Sequence, residues 1–177
     1  MSKPEYFFLY DVPDHNDIKD KLLLYFDELT DTYNLQENES CNISSTDYFH
    51  NAKYKKIPAY IHILKESVYP IIENNVLDKF GCEGVRFQGS WFQQYEKGSS
   101  FSYHTHPNSH FAAIYYIESP PGSETEFLNF DSPVPKEGQV LVFPSFIVHR
   151  SNPNPSNYRK TVVSFNFDLH FKEYKGN

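Results

Sequence analysis

Apolar positions fall into two regimes along the chain. In the first, residues 17–37 (DIKDKLLLYFDELTDTYNLQE) space Ile18, Leu22, Tyr25, Phe26 and Leu29 three and four apart, which predicts an amphipathic helix. Asp14 or Asp17 serves as its N-cap. Residues 37–56 (ENESCNISSTDYFHNAKYKK) are rich in Asn, Ser and Thr, side chains that compete for backbone hydrogen bonds, and are expected to be loop. Residues 58–80 resume the helical period, with Ile61, Leu64 and Val68 before Pro70 and Ile71, Val76 and Leu77 after it. This predicts one helix kinked at Pro70 or two shorter ones.

From Gly84 onward the period changes to two. The runs VRFQGSWFQQYE, HFAAIYYIES, EFLNF, QVLVFP and TVVSFNFDLHF are rich in Val, Ile, Phe and Tyr and are bounded by Gly, Pro, Ser or Asn, so each reads as a strand. Helices followed by at least five strands without an intervening helix predict an α+β chain, with an antiparallel sandwich or barrel carrying its helices on one face. No repeat, low-complexity tract or linker divides the chain, and 177 residues suit one domain (1–177), with 1–84 a mainly helical support and 85–171 the β core.

Composition narrows the function classes. No apolar stretch approaches the roughly 18 residues that span a bilayer, and the run FFLY near the N-terminus is too short for a signal peptide, so a cytoplasmic protein without membrane contact is expected. Sixteen basic against 23 acidic residues give a net charge of −7, which opposes contact with a phosphate backbone and disfavours nucleic acid as a partner. Cys41 and Cys82 lack the spacing of a disulfide framework or thiolate zinc site and are expected to be structural thiols. Fourteen Tyr, 16 Phe and one Trp make up 18% of the chain, so rings must fill much of the interior.

Candidate chemistry sits among the eight histidines. In SYHTHPNSH, His104 and His106 stand two apart, and in extended chain such residues share a side, so both imidazoles can converge on one metal ion. His149 follows the run QVLVFPSF and completes a set of three nitrogen donors suited to Fe, Zn, Cu or Ni. In RKTVVSFNF one face carries Arg159, Thr161 and Val163, and the other Lys160, Val162, Ser164 and Asn166. A cation with a hydroxyl two residues on is a good carboxylate receptor.

These segments resemble the 2-oxoglutarate and Fe(II)-dependent oxygenases, and more narrowly the small oxygenases common in cyanophages and marine bacteria. The resemblance covers about residues 85–170. It rests on Tyr95 and Gly98 leading to His-x-His-Pro, the pair Tyr115 and Tyr116, Gly138 before an apolar strand ending Phe-Pro-Ser, His149, a basic residue, and the run Ser164, Phe165, Asn166. It implies a double-stranded β-helix (a jelly roll, cupin-like), a hydroxylase using Fe(II), 2-oxoglutarate as cosubstrate and O2, and His104, His106 and His149 as catalytic metal ligands. His106 stands where the wider superfamily usually has a carboxylate. The resemblance also implies a basic residue on the distal carboxylate of 2-oxoglutarate. Counting from His149 favours Arg159 with Thr161, and counting back from Ser-Phe-Asn favours Lys160. Tyr95, Tyr103 and Asn166 are further candidates for the cosubstrate pocket, and Trp91, Phe92, Phe111, Tyr115, Tyr116 and Phe130 for its dry walls. His110 reads as pocket lining or surface. The alternatives are a cupin-like Zn or Ni enzyme and a non-catalytic binding module. The substrate, small molecule or protein, and the oligomeric state, a homodimer included, stay open.

Overall fold

A computed structural model of the chain describes residues 5–33, 35 and 42–172. Two antiparallel sheets form its β core. The larger has the order β1-β7-β5-β9-β3-β2 and the smaller β4-β8-β6. The strands are β1 (Phe8–Asp11), β2 (Ser45–Thr46), β3 (Gly84–Tyr95), β4 (Phe101–His104), β5 (Phe111–Glu118), β6 (Thr125–Phe127), β7 (Gln139–Pro144), β8 (His149–Ser151) and β9 (Lys160–His170). Four of the five runs with a two-residue period form strands; of EFLNF only Glu126 and Phe127 lie in β6, and residues 128–130 turn away with Asn129 at φ 64°. The short β4 and β8 complete the second sheet.

Two-residue alternation divides the large sheet into faces. Ala113, Tyr115 and Ile117 of β5, Val140 and Val142 of β7, and Val163, Phe165 and Phe167 of β9 belong to one buried cluster with Leu22, Phe26, Ile72 and Val76 of the helices. Ala112, Ile114 and Tyr116, Leu141 and Phe143, and Val162 turn the other way and meet Phe127 and Ile147 from the small-sheet side. Helices therefore cover one face, and the second face looks into the space between the sheets.

Helix α1 (His15–Tyr33) begins just after Asp14, whose carbonyl accepts from the Ile18 amide at 3.1 Å. The predicted end of this helix at residues 34, 36 and 37 lies outside the described residues, as does Cys41; Cys82 is a buried free thiol. The second helical stretch is continuous from Ile61 to Phe80 but changes its winding: α3 (Ile61–Ile63), a π-helical turn (Leu64–Val68) and α4 (Tyr69–Phe80). Pro70 has no N–H and its ring crowds the preceding turn, so the backbone widens before it instead of breaking. Gly81 ends α4 in the left-handed region at φ 61°.

Two parts of the N-terminal half differ from the sequence expectation. Residues 45–54 are not all loop: they hold β2 and helix α2 (Tyr48–Tyr54). The buried Asp47 carboxylate organises this segment by accepting from the Asn51 amide at 2.6 Å, the Tyr60 hydroxyl at 2.9 Å and the Phe92 backbone N–H at 2.9 Å. Burial raises its pKa to about 6. The second difference is β1, formed by the run read only as too short for a signal peptide, which pairs with β7 through Phe8↔Val142 to Asp11↔Gln139. Residues 1–84 thus supply both outer strands of the large sheet besides its helices.

Candidate metal centre and anion pocket

Strand pairing brings two of the histidines together. In the small sheet β4 lies antiparallel to β8 with His104 directly opposite His149. His106 follows two residues later, its N–H held at 2.9 Å by the Ser145 carbonyl. The three donor sets lie within 4.8 Å of one another, and the Nε2 atoms of His106 and His149 are 3.3 Å apart.

The surroundings fix how these rings are presented. The Nδ1 of His104 donates to the Ser102 carbonyl at 2.9 Å, and that of His149 to the Ile147 carbonyl at 2.9 Å. Each ring thereby keeps its proton on Nδ1 and turns an Nε2 lone pair inward, the tautomer a metal requires. Trp91 stacks on His106 at 5.9 Å between centroids and 29° between planes. Desolvation lowers the pKa of all three, to about 4 for His106 and about 3 for His149, and at these two the neighbouring imidazoles add to the effect, whereas at His104 the bond to the Ser102 carbonyl opposes it. Neutral, pre-oriented nitrogen donors at this spacing suit a divalent transition metal.

The histidines line a cavity of about 580 Å³ between the sheets. Lys160, Val162, Ser164 and Asn166 line it from one face of β9, as the two-residue alternation requires. Lys160 is 1% exposed. Its ammonium donates to the Ser123 carbonyl at 2.6 Å and the Ser151 hydroxyl at 3.0 Å, and lies 5.3 Å from the Tyr95 ring centroid. Burial drives its pKa down to about 7, with Glu124 pulling weakly the other way. Two of its three N–H donors are used, which leaves one for a ligand.

Arg159, which immediately precedes β9, and Thr161 within it do not line the cavity with the histidines. Arg159 forms ion pairs with Glu118 at 2.9 Å and Asp27 at 3.1 Å, and the Thr161 hydroxyl donates to the same Glu118. The structure therefore brings Lys160 and Asn166 to the metal-site cavity and does not bring Arg159 or Thr161 there. Tyr95 is buried and lines the cavity. Tyr103 is 38% exposed, donates to Glu126 and carries Arg150 over its ring. His110 is exposed and accepts from the Leu169 N–H at 2.9 Å.

The expected aromatic walls are only partly right. Trp91 lines the cavity, but Phe92, Phe111 and Tyr115 point to the helix side of the sheet and belong to its core. Tyr116 is buried between the sheets and bonds Thr125, and Phe130 packs outside on Tyr6 and Phe7. Tyr48, Phe49, Tyr95 and Phe101 supply rings instead. Tyr48 and Phe49 come from α2, a helix the polar composition of its segment concealed. Among the described residues no Asp or Glu lines this cavity, whose only charged side chains are Lys160 and Arg150. Arg150 is ion-paired with Glu126 at 2.8 Å, so Lys160 is the cation of this cavity that has no ionic partner among the described residues.

No protein-family model and no curated protein matches the sequence. Solved structures do. The viral collagen prolyl hydroxylase vCPH of Paramecium Bursaria Chlorella virus-1, solved as a 2OG complex, is similar over 95% of this chain and 97% of its own, with TM-score 0.68 and 13% identity. The alpha-ketoglutarate-dependent carbocyclase SnoK from nogalamycin biosynthesis is similar over 94% of this chain and 80% of its own, with TM-score 0.68 and 10% identity. A Pseudomonas putida prolyl-4-hydroxylase is similar over 94% and 93%, with TM-score 0.55 and 13% identity. Strand order, paired sheets and these likenesses agree that the chain has the double-stranded β-helix fold of the 2-oxoglutarate-dependent oxygenases.

Proposed function

We propose that the protein is an Fe(II)- and 2-oxoglutarate-dependent oxygenase that hydroxylates its substrate. The observation that carries this reading is the placement of three inward-facing imidazole nitrogens and one buried ammonium in a single cavity that no carboxylate lines among the described residues. With Fe(II) and 2-oxoglutarate bound, O2 would be consumed, 2-oxoglutarate would leave as succinate and CO2, and one oxygen atom would enter a substrate C–H bond.

This chain's residues have separable parts in that reaction. His104, His106 and His149 would hold the metal through neutral Nε2 atoms, which would leave its double positive charge uncompensated by the described residues. A dianionic cosubstrate supplies the compensation that a carboxylate ligand provides elsewhere, so the absence of acidic lining favours such a molecule. Lys160 receives its far carboxylate. Ser151, on which the ammonium rests, shares a face of β8 with His149, about 6.8 Å along the strand at ~3.4 Å per residue. A five-carbon dicarboxylate held at the metal by one end would be long enough to reach from there to Lys160. Tyr95 and Trp91 keep the intervening space apolar, which strengthens the charge interaction by excluding water.

The test is anaerobic reconstitution. Fe(II) plus 2-oxoglutarate is expected to give a visible charge-transfer band, and admission of O2 is expected to yield succinate. A protein that forms neither, or that retains zinc or nickel and ignores 2-oxoglutarate, is not this enzyme.

A further inference from the structure

Beside the metal-site cavity lies a second one of about 560 Å³, roofed by α2 and the turn after it and floored by β3. Trp91, Tyr48, Gln88 and Asn166 line both, so the two chambers adjoin at these four residues. The buried Asn166 Oδ1 has no hydrogen-bond partner among the described residues, an acceptor left for whatever lies at the junction. A dicarboxylate at the histidines leaves the second chamber vacant, and its size suits a small molecule.

Its lining has a definite chemical character. Pro58, Tyr69 and Phe87 form an apolar bed in which the Tyr69 and Phe87 rings stack at 3.9 Å. Lys56 and Lys65 stand at the rim, and no Asp or Glu is present among the described lining residues. Residues 48–65 contain four lysines and no acid. None of those lysines forms an ion pair among the described residues, whereas all three arginines of the chain do. Lys56 rests over the Tyr33 and Tyr54 rings at 4.8 and 5.9 Å, held without an anionic partner.

We propose that this chamber takes the substrate, and that the substrate is a small organic anion whose acid group faces Lys56 and Lys65 while its apolar body lies on Pro58, Tyr69 and Phe87. The proposal rests on the oxygenase reading for the word substrate, and on the chamber alone for the anion.

Trp91 is the single tryptophan and sits at the junction, so its fluorescence reports occupancy. Titrating phenylacetate and 3-phenylpropionate against their neutral amides is expected to give saturable changes with the acids and at least about tenfold weaker binding of the amides, the scale of one or two charge-assisted contacts. The exposed Lys56→Gln, Lys65→Gln double variant should lose about the same factor, while Lys160→Gln should bind the acids as the wild type does. Equal affinity for acids and amides, no acid binding, or an unchanged double variant overturns the proposal. Metal-dependent 2-oxoglutarate binding is measured on the same samples. If it fails while the acids still bind, the anion chamber is supported and the oxygenase reading is lost.

Discussion

Lys160→Met is expected to make the ligand-free protein more stable while weakening its affinity for 2-oxoglutarate about 100-fold. Burial brings the Lys160 pKa from 10.5 to about 7, which corresponds to about 5 kcal/mol of desolvation carried by the folded state, at ~1.4 kcal/mol per pH unit. Methionine keeps the length and removes the charge. It also strips the Ser123 carbonyl and Ser151 hydroxyl of their donor, a loss of about 1 kcal/mol each. The net gain is about 3 kcal/mol at pH 6, or roughly 6–12 °C in Tm for a chain of this size. Because the folded pKa lies below the unfolded one, the charge penalty is fully present below about pH 7 and disappears as pH rises to 10.5. The advantage of the variant should therefore vanish near pH 9, where about 2 kcal/mol of penalty remains to balance the lost hydrogen bonds, and reverse above it. Thermal or urea unfolding at pH 6 and pH 9 measures this. A variant less stable than wild type at pH 6, or a difference that does not change with pH, would refute the reasoning. Loss of the carboxylate partner should weaken 2-oxoglutarate by about 100-fold in calorimetric titration.

Arg159→Gln should leave 2-oxoglutarate affinity within about twofold and cost no more than about 1 kcal/mol, since it breaks only partly exposed ion pairs to Glu118 and Asp27; a large loss of affinity would put Arg159 in the pocket after all. His149→Ala should abolish the stabilisation that Fe(II) or Co(II) confers, which for wild type is about 2.7 kcal/mol at 100 times Kd, and calorimetry in the presence of metal would expose a retained effect. Gly138→Ala should cost about 2 kcal/mol, because residue 138 has φ 85° and a new Cβ would lie 3.1 Å from the His15 ring. That ring cannot yield freely, being bonded to the Tyr115 hydroxyl at 2.8 Å, so an unchanged denaturation midpoint would contradict the contact.

Legibility followed the strength of the period. The runs that form β3, β5, β7 and β9 are readable because most of their positions are buried or half-buried on both faces, and alternation assigns Lys160, Val162, Ser164 and Asn166 to one side; β4 and β8, four and three residues long, carry too little pattern to be read. The same rule, applied to ring positions, separates Trp91 from Phe92 and Tyr116 from Tyr115, yet composition alone does not say which side is cavity and which is core. Helix α2 was hidden because its order comes from Asp47 and from contacts to Tyr60 and Phe92 that lie 13 and 45 residues away. Strand β1 is four residues long and pairs with β7 about 130 residues later, a distance no local window senses. Spacing alone does not bring His149 to His104; the β4–β8 register does, setting the two directly opposite each other.

Strand β9 lies between β5 and β3, at the centre of the large sheet, although it follows them in the chain. During synthesis β3 and β5 therefore emerge from the ribosome without the partner that joins them, each presenting an unpaired backbone edge to the cell. Only after residues 160–170 have cleared the exit tunnel can the sheet close. Until then those edges stay open, and a slow folding step gated by the arrival of β9 is the kinetic counterpart of so non-local a sheet.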